Sequence, residues 1–529
     1  MKFIKIVALI IITITILSGV SSCSKKFEEL ERNPNRPEAV TPELVFKGVL
    51  ADLNIDRPWS LVMRWNQFDV ANYNYYGDQR YDWTGADLNY ITLKNVTKME
   101  EEAQRLGGGK INPYAALGKF FRAFFFYRMT NLVGDIPMSE ALEGKEKLNP
   151  VYNSQKEVFL QVLKWLEESN ADLDQLVKNP DKANTTEGQQ LKGDIYFNND
   201  LLKWQRTVNA FKLRVLIAVS RKEVDADLKL KSLFTEVMNN KSRFPLFESN
   251  AQNLQYNYNN INKYPSNPDN LGFDATRYNM SATYLNRLVD LNDPRAYIVA
   301  EPATKKINKE GKSPADITAY TGASSGENQT EMSSKMSNVE EAEYSVRSRS
   351  RYYASYSAEP GIIIGYPEMC FNIAEAINRG WIAGDAEEWY KKGIKASMAF
   401  YGIPVEAAGA IIKNYRNQSY TINVDIENGY FKQPAVKYQG NTEAGLNQII
   451  VQKYLAFFQN SGWEAYFNWR RTGVPEFLTG TGTGNNATIP KRFQYPVPER
   501  TTNKANWESA VQRQFGGNDN INAAMWLIK

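Results

Sequence analysis

A mainly α-helical fold, all-α in class and built from stacked helical hairpins, is what this 529-residue sequence predicts. Three observations point there. The stretch Tyr366–Tyr401 reads as two helices on a tight turn, and Pro113–Thr130 as one long helix apolar over most of its girth. From about residue 250 to 358 the chain turns Asn-, Gly- and Ser-rich, with too little apolar content for a core of its own. That region reads as a loop-rich, irregular second lobe.

In the hairpin, Met369, Ile373 and Ile377 recur every four residues, and Phe371 and Ala374 widen their face. Pro367 suits a first helical turn and Gly380 a helix end. Asp385 can cap the second helix, with Glu388 as its box partner. The apolar face of that helix is expected to carry Trp389, Gly393, Ala396 and Phe400. Such a unit cannot bury both its faces alone, so it must stack on similar neighbours. Cys370 shares the face of Ile377 and is expected to be a buried, inert thiol.

Taken from the start, residues 1–22 form an export signal: Lys2 and Lys5 precede the apolar run Ile6–Leu17, too short to span a membrane. Val20-Ser21-Ser22-Cys23 is a lipobox, so Cys23 is expected to become an acylated N-terminus. Several acyl chains anchor stably where one would not. Residues 23–41 form a polar tether, and the folded part is expected over 42–529. Pro42–Asn54 and Trp59–Val70 read as helices. Asn72–Tyr90 is too rich in Asn, Gly and Asp for a helix, and its tyrosines and Trp83 make a candidate binding lip. After the aromatic helix, Gly134–Pro137 makes a sharp stop, and Ser154–Leu176 and Trp204–Arg221 repeat the amphipathic pattern. Ala282–Leu291 is an isolated helix within the lobe. Gly445–Asn460 returns to helix, and residues 476–529 form a tail in which Phe493–Pro498 and Met525–Ile528 look extended and packed down. Arg470 and Arg471, beside Trp463 and Glu464, could hold a ligand carboxylate; structural ion pairs are the stronger reading.

Composition excludes several functions. The chain has no histidine and only two cysteines, which removes Ser-His and Cys-His pairs and the commonest metal ligand. A formal charge of +4 on so long a chain, without long Lys/Arg runs, argues against a nucleic-acid partner. The aromatic share of 12% includes many rings in Asn/Gly-rich loops, where they can stack on ligands or pin the loops to the core.

The wording of the helices is more specific than their periodicity. FNIAEAINRGW followed by WYKKGIKASMAFYG closely resembles the SusD/RagB family of nutrient-binding outer-membrane lipoproteins, in its SusD-like branch. Ala116–Leu142, Gly193–Arg214, Gln448–Pro475 and Arg492–Asn503 resemble the same family in the same order, while residues 250–350 match loosely. The resemblance implies a tetratricopeptide-like helical hairpin array, about 42–250 and 360–475, beside the loop-rich lobe. It implies an outward-facing, lipid-anchored outer-membrane protein that captures an oligosaccharide or peptide for a TonB-dependent SusC-like barrel. No cofactor and no chemical step is expected.

The expected ligand site lies on Asn72–Tyr90 and the Asn253–Tyr278 loop, with Tyr75, Tyr76, Tyr81, Trp83, Tyr258 and Tyr278 as stacking faces. Asn74 and Asp82 would bond sugar hydroxyls. Glycan is favoured over peptide by family habit and by these loop rings. A lipid-anchored glycoside hydrolase would instead need two carboxylates roughly 5–10 Å apart on one cleft wall, and a pure scaffold would need no cleft.

Overall fold

The computed structural model describes residues 40–180 and 185–529. Cys23, the signal and most of the tether lie outside the described residues.

The principal helices are α1 (Pro42–Asp52), α2 (Tyr90–Arg105), α3 (Pro113–Val133), α4 (Gln155–Lys178), α5 (Leu201–Ala218), α6 (Leu230–Asn239), α7 (Tyr366–Asn378), α8 (Ala386–Phe400), α9 (Glu443–Ala456), α10 (Glu464–Thr472) and α11 (Lys504–Phe515). Sequence neighbours pack against one another from α1 to α5; α5 then meets α7, and α7 meets α8 and α9. The array therefore continues across the 250–358 stretch, which leaves it after α6 and returns at α7. Phe120, Phe121, Phe125, Phe126 and Tyr127 are all buried, as expected of a helix clamped between neighbours on both sides. Ser154 and Glu157 form a reciprocal capping box that starts α4. At Gly134 the backbone turns through φ +101°, a left-handed angle that ends α3 where the sequence placed the stop.

The hairpin α7–α8 matches its reading with two corrections. Asp385 caps α8 by accepting the Glu388 backbone N–H at 3.1 Å, but the Glu388 side chain turns to Lys392 instead of closing the box. Of the four expected face residues Gly393 and Ala396 are buried, together with Ala386, Tyr390, Ile394, Ser397 and Met398, while Trp389 and Phe400 are half-exposed. The centre of the face thus holds, with Gly393 against the Phe371 ring, while at its two ends Tyr390 and Met398 are buried in place of Trp389 and Phe400. A Cβ at Gly393 would lie 2.7 Å from that ring. Gly393→Ala should therefore destabilise by about 1–3 kcal/mol through overpacking; an unchanged melting midpoint would show that Phe371 can give way. Cys370 is buried in α7, and burial pushes its thiol up to about 12.

Trp59–Val70 is not the expected single helix. Only Leu61–Trp65 is helical, and Asp69–Ala71 is a strand, β1. Trp59 and Gln67 sit at φ +60° and +58°, so the chain turns out of helix at both ends. Strand β1 pairs antiparallel with β2 (Tyr278–Met280), in the register Asp69↔Met280 to Ala71↔Tyr278. A hairpin that the sequence reading missed, β3 (Gly409–Tyr415) and β4 (Gln418–Val424), turns at Arg416-Asn417, both with positive φ. Its alternating exposure is the period of a half-buried strand.

Charge stitches α5, α7, α9 and α10 together inside the array. Arg214 donates to Glu368 at 2.6 and 2.5 Å, and Arg471 donates to Glu375 at 2.6 and 3.0 Å, all four groups buried. The structural ion pair expected of Arg471 is thus present, whereas Arg470 donates to neutral groups, the Asn131 and Lys491 carbonyls, at 2.7 and 2.9 Å. Glu464 lies 3.8 Å from Arg214 and accepts the Tyr127 hydroxyl at 3.2 Å. Burial pushes the Glu464 carboxyl from 4.5 up to about 7. Glu375 is held down to about 2, because Arg471, Arg379 and Lys453 together outweigh its burial.

The two glutamates act in different pH windows. Between pH 4.5 and about 7 folded Glu464 keeps a proton that the unfolded chain has lost, so its contribution to stability falls as pH rises. The Glu375 contribution is present above pH 4.5 and is lost as pH falls toward 2. Glu464→Gln should flatten the fall of stability with rising pH between 4.5 and about 7. Urea unfolding across that range checks this, and parallel curves for variant and wild type would refute it.

Candidate functional site

The two expected loops do meet. The β1–β2 pair joins them, and Asn72 extends the junction by donating its side chain to the Thr276 carbonyl and to Asn279 Oδ1, both at 2.9 Å. Immediately after β1 the chain makes one 3₁₀ turn, Asn74–Tyr76, which lifts its side chains outward. Tyr75 is 81% exposed, and Asn74 beside it is exposed as well. Tyr76 is half-buried; its hydroxyl donates to the Phe273 carbonyl at 2.8 Å, and its ring contacts Tyr75 and Tyr278, with centroids 5.1 and 5.5 Å away. Asn74, Tyr75, Tyr76 and Tyr278 are therefore brought together.

Three members of the lip were not named from sequence. Tyr73 is exposed, with the Arg277 guanidinium 4.8 Å above its ring, and Phe273 is 72% exposed. Their signal was present: Tyr73 adjoins Asn74, and Phe273 is an aromatic residue within the polar loop already singled out.

Beneath the lip, Arg347 is clamped between the rings of Trp59 and Tyr278, at 3.8 and 3.9 Å from the centroids. It donates to Asp69 and Ser266, both at 2.9 Å. A buried guanidinium stacked on both sides and held by a carboxylate fixes the back of the Tyr278 ring. Burial also pushes the nearby Asp274 carboxyl up, against the pull of Arg347.

The remaining expected site residues are corrected. From Asp78 to Thr84 the chain has no helical turn, so successive side chains alternate: Tyr81 and Trp83 point inward and Asp82 outward. Tyr81 is fully buried, donating its hydroxyl to the Trp65 carbonyl at 2.8 Å. Trp83 is buried face to face with Phe493, 4.1 Å apart and 5° from parallel. Asp82 is exposed, but its carboxylate pairs with Arg80 at 2.7 Å and accepts the Asn485 backbone N–H at 2.7 Å. Tyr258 is buried, its ring edge-on to Tyr256 and Tyr264 and its hydroxyl accepting from Asn54 at 3.1 Å. These three rings pin their loops to the core; they do not face a ligand.

What the lip offers is a row of exposed ring faces, an amide and a guanidinium on a rigid base. That arrangement suits stacking and hydrogen bonding to a polar ring. Among the described residues no group of three or more Cys, Asp or Glu side chains converges as a metal site, and no helix is long and apolar enough to cross a membrane.

Comparison with known proteins places the fold. A SusD homologue of Bacteroides fragilis superimposes with a TM-score of 0.79 at 29% identity, covering 93% of this chain and 100% of its own. A second B. fragilis SusD homologue gives 0.74 at 30% identity, over 93% and 99%. A chitin-binding SusD homologue of Flavobacterium johnsoniae gives 0.67 at 19% identity, over 92% and 98%, which speaks for the fold alone. No curated protein matches the sequence. The profile of the SusD-like family described as starch-binding and associating with the outer membrane matches residues 34–496. The helical array, its order of segments and this match make the chain a member of the SusD-like family.

Proposed function

We propose that this protein is a cell-surface lipoprotein that captures a nutrient oligosaccharide on the Tyr73–Tyr76 lip and passes it to a TonB-dependent SusC-like barrel. Residues 1–22 serve as its export signal, and Cys23, acylated, anchors it to the outer membrane through the tether of residues 23–41. It acts by binding, without a cofactor or a chemical step.

The observation that carries the reading is the exposed aromatic row itself: Tyr73, Tyr75 and Phe273 stay open to solvent on a base fixed by β1–β2 and Arg347. Water-exposed rings held rigid bind with little loss of conformational entropy. A Tyr75→Ala/Phe273→Ala variant should keep the wild-type melting midpoint, since both rings are exposed. Its affinity for the glycan identified on an array should fall about five- to tenfold per ring. Calorimetry decides: unchanged affinity places the site elsewhere, and binding of peptides with no glycan bound makes the cargo a peptide.

A further inference from the structure

A groove of about 570 Å³ lies beside β4, the second strand of the hairpin. We propose that it takes an extended internal segment of a partner protein, which adds to β4 as a third strand. The lip plays no part in this site.

The hairpin leaves the outer edge of β4 bare. Among the described residues β3 and β4 pair only with each other. Their two-residue turn makes Tyr415 and Gln418 a hydrogen-bonded pair, and bonded and non-bonded pairs then alternate along the ladder. Asn414 with Ser419, Ile412 with Thr421 and Ala410 with Asn423 are the non-bonded pairs. The backbone N–H and C=O groups of Ser419, Thr421 and Asn423 therefore point away from β3. No hydrogen bond reaches them among the described residues.

Such an edge is a template for one more strand. Here a wall stands across from it: residues 421–424 line one side of the groove, and Asn292, Pro294 and Tyr297 another. An added strand lies about 4.8 Å from its neighbour, and four residues of it run about 14 Å. The volume is in the range of ligand sites. Ile422 and Val424 are buried, so the free backbone groups sit on a fixed base.

The charges narrow the partner. Asp425 lines the groove and accepts the Asn428 backbone N–H at 2.8 Å and its side-chain amide at 3.3 Å. It makes no ion pair among the described residues, and no Lys or Arg lines the groove. A basic side chain on the incoming strand answers Asp425. A free peptide would also bring a C-terminal carboxylate, for which the groove holds no cation. An internal segment of a longer chain brings none.

Calorimetry on the full-length protein in detergent tests this with a capped hexapeptide of alternating lysine and valine. Thr421→Pro removes an outward N–H, a position where a strand tolerates proline, so the melting midpoint should hold while affinity falls at least about tenfold. Ile412→Pro makes the same change on the outer edge of β3 and should leave affinity as it is. Asp425→Asn should weaken binding about three- to tenfold at low salt. On the wild type, the same peptide methylated at its backbone nitrogens should not bind, a readout that stands even if a proline unfolds the hairpin. No binding of the capped peptide, binding of the methylated one, or equal loss in both folded proline variants overturns the proposal. Tighter binding of a version ending in a free carboxylate would overturn the partner segment in favour of a free peptide. The Tyr75→Ala/Phe273→Ala variant should bind the capped peptide like the wild type; loss of binding there would move the peptide to the lip and overturn the site.

Discussion

Arg471→Ala is expected to lower stability by about 3–5 kcal/mol, because it strips a buried carboxylate of its partner. Arg471 reaches out of α10 to Glu375 on α7 with two bonds, and also donates to Ser220 and Asn468, both at 2.9 Å. Glu375 is fully buried and is held ionised mainly by this arginine, with Arg379 and Lys453 behind it. Without Arg471 the carboxyl must either stay charged in a poor dielectric or take up a proton, and both reduce the folded population. Arg471→Met/Glu375→Leu, which removes both charges and keeps the volume, should recover most of the loss. Chemical denaturation of wild type, single and double variants measures this, and an Arg471→Ala variant within about 1 kcal/mol of wild type would sink the reading of the pair as the tie between α7 and α10.

Trp83→Ala should be comparably destabilising, at about 3–5 kcal/mol. The ring stacks on Phe493 and is edge-on to Trp65, Trp463 and Tyr466, with centroids 5.2, 5.6 and 5.1 Å away. Removing it leaves a cavity where the 72–90 segment, α10 and the C-terminal tail meet. Ligand affinity of the protein that remains folded should not change, because Trp83 does not reach the lip. Weaker binding at unaltered stability would instead return Trp83 to the binding surface.

The same residue shows where reading a sequence stops. Trp83 and Tyr75 stand in one polar, ring-rich stretch, and composition treats them alike. A single 3₁₀ turn at Asn74–Tyr76 faces Tyr75 outward, and the extended backbone after it turns Tyr81 and Trp83 inward. Which parity faces the core is set by Phe493 and Tyr466, some four hundred residues away, and no local pattern carries that information. The β3–β4 hairpin was missed for a different reason: it is polar on one side and short, so its period-two signal is weak beside the helices.

The helices were legible because each declares itself locally. Apolar residues at helical spacing, Pro367 at a first turn, Asp385 at a cap and Gly134 and Gly380 at stops are decided by neighbours within one or two turns. Membership of the family was legible in the same way, from contiguous words in a fixed order, and so was the absence of histidine chemistry. Pairing across the chain belongs to the tertiary structure. Arg471 with Glu375, Arg347 between Trp59 and Tyr278, and Tyr76 against Phe273 join residues about 70 to 290 positions apart. Burial of a ring or a charge is a property of such distant partners, so whether an aromatic residue grips a ligand or the core was settled only when the chain closed on itself.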